Sequence, residues 1–232
     1  MTPKPIFRIL KKILIVIFIL MIAFWGYVEI ANRNSRNMTG RQKILKAIYP
    51  VWMWWAKLRG HNVTELSGRK QPPVSFYSLK GVLNDDSVLD FSSLKGKKVL
   101  LVNTASDCGY TNQYQDLQEL YEEYKGELVV IGFPANDFKE QEKGSDAEIS
   151  EFCKRNFGVT FPLMKKSSVK KTGDQHEVFR WLTDSSRNGW NSKPPSWNFA
   201  KYLVNEDGIL INYFGSSISP RDKDILNAIN KK

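Results

Sequence analysis

Cysteine and histidine are scarce in this chain: two of each, Cys108, Cys153, His61 and His176, in 232 residues. That scarcity excludes a disulfide-stapled scaffold and a structural zinc site of the usual four ligands. No C-x-x-C occurs, and the two histidines lie far apart without ligand-like neighbours. No metal or other cofactor is expected, and neither histidine is given a role. The larger part of the chain also lacks an excess of positive charge. Net charge is +10, yet residues 1–71 hold 13 Lys and Arg against Glu29 and Glu65, while residues 72–232 hold 21 basic and 22 acidic residues. A nucleic-acid partner is therefore not expected, because the globular part carries no net charge to attract phosphates. Internal repeats are absent too.

What the chain does have is one long apolar run. Ile13 to Val28 is uninterrupted for 16 residues and follows Arg8, Lys11 and Lys12. As a helix it spans roughly 24 Å, a little less than the ~30 Å hydrocarbon core. Snorkelling lysines at one end and Trp25 and Tyr27 at the other extend its reach. A cleaved signal peptide is the competing reading, but no clean small-x-small site follows, which favours an uncleaved anchor over residues 1–31. Basic flanks are nearly balanced, and the short basic N-tail favours placing the bulk of the chain on the extracytoplasmic side. Residues 32–72 form a basic, Trp-rich segment and linker. Within it, Arg41 to Gly60 places Ile44, Ile48, Val51, Trp52 and Trp55 at helical spacing among lysines and arginines, with Pro50 expected to kink or divide it. Beside an anchor, such a helix is read as lying in the membrane interface; packing on the domain by its aromatic face is the alternative. Residues 60–73 read as linker.

From Val74 the pattern changes. The runs V-S-F-Y-S-L and S-V-L-D-F around N-D-D suggest a hairpin. Val99 to Asn103 and Leu128 to Phe133 read as buried strands, with a helix over Tyr114 to Tyr124 between them. Ser145 to Asn156 reads as a helix with Ser145 and Glu148 at capping-box spacing. A helix around His176 to Thr183 follows, then a strand pair at Lys201–Leu203 and Ile209–Tyr213, and a last helix begun by Ser219-Pro220. This alternation describes a single α/β domain over residues 73–232.

Cys108 stands in V-N-T-A-S-D-C-G-Y-T, at the carboxyl end of a strand and shortly before a helix. Open-sheet sites form there, and helix N–H groups favour a thiolate. Asp107 next door opposes it by charge. On position alone Cys108 is either a reactive thiol or a small hydrophobe in a turn.

Three segments together decide otherwise. S-D-C-G-Y-T (Ser106 to Thr111), G-F-P-A-N-D-F-K-E-Q-E (Gly132 to Glu142) and W-N-F-A-K-Y-L-V (Trp197 to Val204) resemble the signature segments of the glutathione peroxidase family, in order and at similar separations. The resemblance implies a thioredoxin-like fold, a central mixed sheet flanked by helices, and reduction of hydrogen peroxide or organic and lipid hydroperoxides. It places the peroxidatic position on Cys108 and the supporting polar residues on Gln141, Trp197 and Asn198. Their amides and indole are neutral donors, suited to a thiolate and to the alkoxide that leaves it. Two departures stand out: Lys139 and Glu140 occupy positions where many members have glycines, and Ala135 one where many have cysteine.

Cys153 follows Cys108 by 45 residues. The resemblance to the non-selenium branch implies a resolving cysteine that condenses with Cys108 sulfenic acid to a disulfide, reduced by thioredoxin. A buried structural cysteine is the alternative reading of the same residue. Two rivals to the whole reading are a glutathione-dependent peroxidase with Cys153 idle, and a membrane-tethered redox sensor. Because Met164 to Trp197 is short, without the insertion that accompanies tetramers in the family, the domain is expected to be monomeric.

Overall fold

The computed structural model describes residues 5–58 and 65–231. His61 and the first part of the expected linker lie outside them. In chain order the elements are α1 (Pro5–Ala31), α2 (Gly40–Leu58), β1 (Glu65–Ser67), β2 (Lys80–Val82), β3 (Val88–Asp90), β4 (Lys98–Thr104), α3 (Gln113–Glu123), β5 (Leu128–Pro134), α4 (Asp146–Phe157), α5 (Glu177–Leu182), α6 (Ser185–Asn188), β6 (Lys201–Val204), β7 (Leu210–Phe214) and α7 (Lys223–Asn230).

Five strands form one mixed sheet in the order β1-β7-β6-β4-β5. β4 and β5 run parallel, joined through α3, whereas β6 and β7 are a hairpin antiparallel to β4. All seven residues of β4 are buried, as a strand covered on both faces requires. Its side chains alternate: Val99 and Leu101 enter one core with Phe76, Phe133, Trp181 and Tyr202, while Leu100 and Val102 enter the other with Tyr114, Leu117, Ile149 and Phe214. Each such aliphatic side chain contributes about 1.5–3 kcal/mol by leaving water. A period of two in β4 thus separates the layers, with α3, α4 and α7 on one face and α5 on the other.

α4 starts where its sequence signals a start. Ser145 accepts from the Glu148 N–H while Glu148 reaches back to the Ser145 N–H at 2.7 Å, and Gly158 ends the helix at φ 65° in the left-handed region.

Four expectations need correction. The first run of the expected hairpin is not a strand: Ser75 accepts from the Tyr77 N–H and turns Phe76–Ser78 into a 3₁₀ turn, so the hairpin consists of β2 and β3. The linker over residues 60–73 contains β1, which pairs with β7 from Glu65↔Phe214 to Ser67↔Asn212. Pro50 does not divide α2, which runs continuously through it. The last helix begins at Lys223 behind an Asp222 cap, a turn later than Ser219-Pro220.

α1 includes one span, Ile9–Ala31, long and apolar enough to cross a membrane, with mean hydropathy 2.6 over its most apolar window. It meets α2 through the Tyr27 hydroxyl, which donates to Ala47 O at 3.0 Å, and through Asn32 Nδ2, which donates to Lys43 O at 2.9 Å. α2 divides its faces along its length. Ala47 and Tyr49 are buried, whereas Val51, Trp52, Trp54 and Trp55 are exposed beyond them. The first half packs on the domain and the second half presents its tryptophans.

Candidate active site

β4 ends at Thr104, and the chain then turns through Ala105 to Asn112 before α3 begins. The turn is tied by Thr111: its hydroxyl donates to Ala105 O at 2.8 Å and accepts from the Cys108 N–H at 3.0 Å. Cys108 therefore sits within a turn, five residues ahead of α3. Its side chain is buried, 1 % exposed. Burial pushes the thiol above its usual range, opposed by the Tyr110 N–H, by the side chains of Trp197 and Asn198, and by the charge of Arg41. The Tyr110 N–H points at Sγ from 3.4 Å.

Trp197 and Asn198, which act on the thiol, belong to the segment ahead of β6. Asn103, in β4, sets that segment. Its Nδ2 donates to Trp197 O at 3.1 Å, its Oδ1 accepts from the Ala200 N–H at 3.0 Å, and its carbonyl accepts from the Phe199 N–H at 2.6 Å. Between these bonds Phe199 holds φ 65°, a conformation costly for a bulky side chain and found where surrounding structure over-determines it. Asn198 Nδ2 donates to Gln141 Oε1 at 3.0 Å, and the Gln141 carbonyl accepts from the Asp107 N–H at 3.0 Å. Cys108, Gln141, Trp197 and Asn198 are thus one connected cluster. Just before Gln141, Lys139 and Glu140 have φ 53° and 51°. The loop keeps a left-handed bend suited to glycine although two side-chain-bearing residues now occupy it.

Asn103 went unassigned in the sequence, although a polar residue ending a buried apolar strand is the signal that marks it. Replacing it with alanine leaves the Ala200 N–H without its buried acceptor, which costs about 1–3 kcal/mol. We expect Asn103→Ala to lower the thermal midpoint and also to slow reaction of Cys108 with peroxide, read by calorimetry and stopped-flow fluorescence.

Glu142 was likewise unassigned. It is buried, accepts from the Ser106 hydroxyl at 3.1 Å, and burial pushes its carboxyl to about 7. Cys153 is a free, fully buried thiol on α4 in the same core cluster as Cys108. Burial pushes it well above the usual thiol range, with Tyr114 and Glu142 facing it.

The roof over Cys108 comes from outside the α/β domain. Met38, Gln42, Leu45 and Lys46 enclose a small cavity with Cys108 and Phe157. Gln42 Nε2 donates to Ser106 O at 3.1 Å, and the Arg36 N–H donates to Asn156 Oδ1 at 2.9 Å. An open cleft beside this roof is lined by Arg36, Asp107, Gln141, Glu148 and Phe152 among others. No cluster of His, Cys, Asp and Glu able to hold a metal ion occurs among the described residues.

A mixed five-stranded sheet with helices on both faces and a thiol at the end of a central strand defines a thioredoxin-like protein. Structural similarity agrees: the chain superposes on a DsbF homologue from Corynebacterium diphtheriae with TM-score 0.52 at 18% identity, over 71% of this chain and 92% of that one. The family is narrower. Residues 76–183 match the glutathione peroxidase family model. A glutathione peroxidase-like peroxiredoxin of Chlamydomonas reinhardtii is 43% identical over 159 residues, 66% of this chain and 97% of the relative. A glutathione peroxidase of Lactococcus lactis is 38% identical over 65% of this chain and 96% of the relative. The crystal structure of Trgpx in apo form matches with TM-score 0.53 at 34% identity, over 68% of this chain and 97% of that one. The chain belongs to the glutathione peroxidase family and is a peroxidase.

Proposed function

We propose that Cys108 is the peroxidatic thiol of a membrane-anchored peroxidase, that Gln141, Trp197 and Asn198 stabilise its charged states, and that Cys153 resolves its oxidised form. The observation that carries this is the Tyr110 N–H aimed at the Cys108 sulfur, with Trp197 and Asn198 opposing the rise of its thiol and Asn198 held by Gln141.

The Cys108 thiolate attacks one oxygen of a hydroperoxide. The O–O bond breaks, the other oxygen takes a proton and leaves as water or alcohol, and sulfur is oxidised to sulfenic acid. Negative charge moves from sulfur to oxygen, so donors already facing the sulfur stabilise the transition state without reorganisation. The Cys153 thiol then displaces water from the sulfenic acid to give a Cys108–Cys153 disulfide. A dithiol protein of the thioredoxin type reduces it by exchange, taking the disulfide onto itself. Hydrogen peroxide and organic or lipid hydroperoxides are the substrates. α1 serves as the anchor, with the α/β domain on the extracytoplasmic side as a monomer. The exposed tryptophans of α2 support a site at the membrane surface, where oxidised lipid is at hand.

The test is mass spectrometry of both thiols after one equivalent of peroxide, with and without thioredoxin. We expect a Cys108–Cys153 bond that thioredoxin removes. Persistent sulfenic acid with Cys153 still free would overturn the resolving role. Glutathione as the sole effective reductant would favour the glutathione-dependent reading instead.

A further inference from the structure

Asp107 poses a physical problem for a thiol that reacts as an anion. Its carboxylate is the side chain next to Cys108, and like charge opposes thiolate formation. One of its oxygens, Oδ1, is buried without a hydrogen-bond partner. The other, Oδ2, forms an ion pair with Arg41 Nη1, and the same nitrogen donates to the Asp107 carbonyl at 2.9 Å. Arg41 lies in the first turn of α2, 66 residues earlier in the chain. α2 is fixed there by Gln42, which donates to Ser106 O, and by the buried Ala47 and Tyr49.

We propose that Arg41 is a positioning residue for the peroxidatic thiol: by pairing with Asp107 across the α2 interface it cancels the negative charge beside Cys108 and so favours the thiolate. This rests on the reading of Cys108 as the nucleophile. It gives the membrane-proximal helix a part in the chemistry that attachment alone does not require.

Other charged or titratable groups also lie near the thiol: Arg36, Glu140, Lys143, Glu148 and Glu151 line the cleft with Asp107, and the Asp107 charge acts on Glu142 as well. From α2, Lys46 is engaged elsewhere, with Nζ donating to the Ser35 hydroxyl at 2.9 Å and lying 5.1 Å from the Phe157 ring centroid. Tyr110 shares the turn, and burial raises its hydroxyl above the usual range. From the loop after β5, Glu142 accepts from Ser106 and burial pushes its carboxyl up to about 7, and Lys139 lies 5.7 Å from the Trp197 ring centroid. From α4, Arg155 pairs with Glu151 at 2.7 Å. Among these, Arg41 is the cation bonded to Asp107. The pair is partly exposed, with side chains 54% and 39% accessible, so solvent screens it and its effect is modest.

The test uses the full chain in lipid nanodiscs, with Cys153→Ser as background so that one thiol reports. Alkylation by iodoacetamide is followed against pH, with Glu142 fitted as a common second titration. Arg41→Gln is expected to raise the apparent pKa of Cys108 by about half a unit, and Arg41→Lys to restore it. Asp107→Asn is expected to lower it. The double variant Arg41→Gln, Asp107→Asn, which removes both charges, should return it to the starting value. Added salt should shrink the Arg41→Gln shift. An unchanged pKa in Arg41→Gln overturns the proposal, as does a double variant that stays at the Arg41→Gln value, since that is what lost helix docking would give. Failure of the nucleophile reading looks different: alkylation would follow these charges while one equivalent of peroxide left Cys108 unoxidised.

Discussion

Cys108→Ser is expected to reduce peroxide consumption by on the order of 10⁴-fold or more, the scale on which removal of a covalent nucleophile acts in a preorganised site. A serine hydroxyl is nearly the same size as the thiol, and the Tyr110 N–H that points at Sγ would remain beside it as a donor. Fold and stability should therefore survive. What disappears is an atom that ionises in a useful range and attacks oxygen. Peroxide consumption assayed with excess reductant, alongside a thermal unfolding curve, separates the two effects. Residual activity within tenfold of the parent would mean that another group attacks the peroxide, and the roles of Trp197, Asn198 and Gln141 would fall with it.

Cys153→Ser should divide the cycle in a different place. The first reduction of peroxide depends on Cys108 and its donors, so a stopped-flow burst of one equivalent should persist at close to the parent rate. Steady-state turnover with thioredoxin should fall to the level seen without any reductant, because sulfenic acid accumulates with no disulfide to open. The thiol of Cys153 is deeply protected: burial, opposed by Tyr114 and aided by the Glu142 charge, raises it far above the range where thiolate is plentiful. Turnover that continues with thioredoxin in this variant would show Cys153 to be a packing residue of the cluster it shares with Ile149 and Phe157.

The β4-α3-β5-α4 run was legible because buried strands and capped helices each leave a local pattern. Leu100 and Val102 alternate with Val99 and Leu101, and Ser145 stands three residues before Glu148. The 3₁₀ turn at Phe76–Ser78 was misread because its apolar and polar residues alternate as a strand's would, while the Ser75 cap that bends the backbone leaves no periodic trace. β1 is three residues in a polar stretch, and its conformation comes from its partner β7 rather than from itself. Cys108 and its donors were legible only through the joint resemblance of three segments, since a lone Trp or Asn carries no such meaning. Arg41 was invisible in that role, because its pairing with Asp107 depends on how α2 docks.

The short strand β1 has a consequence for handling the protein. It occupies the outer side of β7, whose own residues L-I-N-Y-F are mostly apolar and largely buried. A chain shortened to begin after Ser67 would keep every residue of the peroxidase cluster and lose the strand that covers β7. The exposed row of N–H and C=O groups would then be a template for strand addition from another molecule. Self-association of such a truncated protein would report surfaces bared by the truncation, the β7 edge and the face left by α2, rather than a native oligomer.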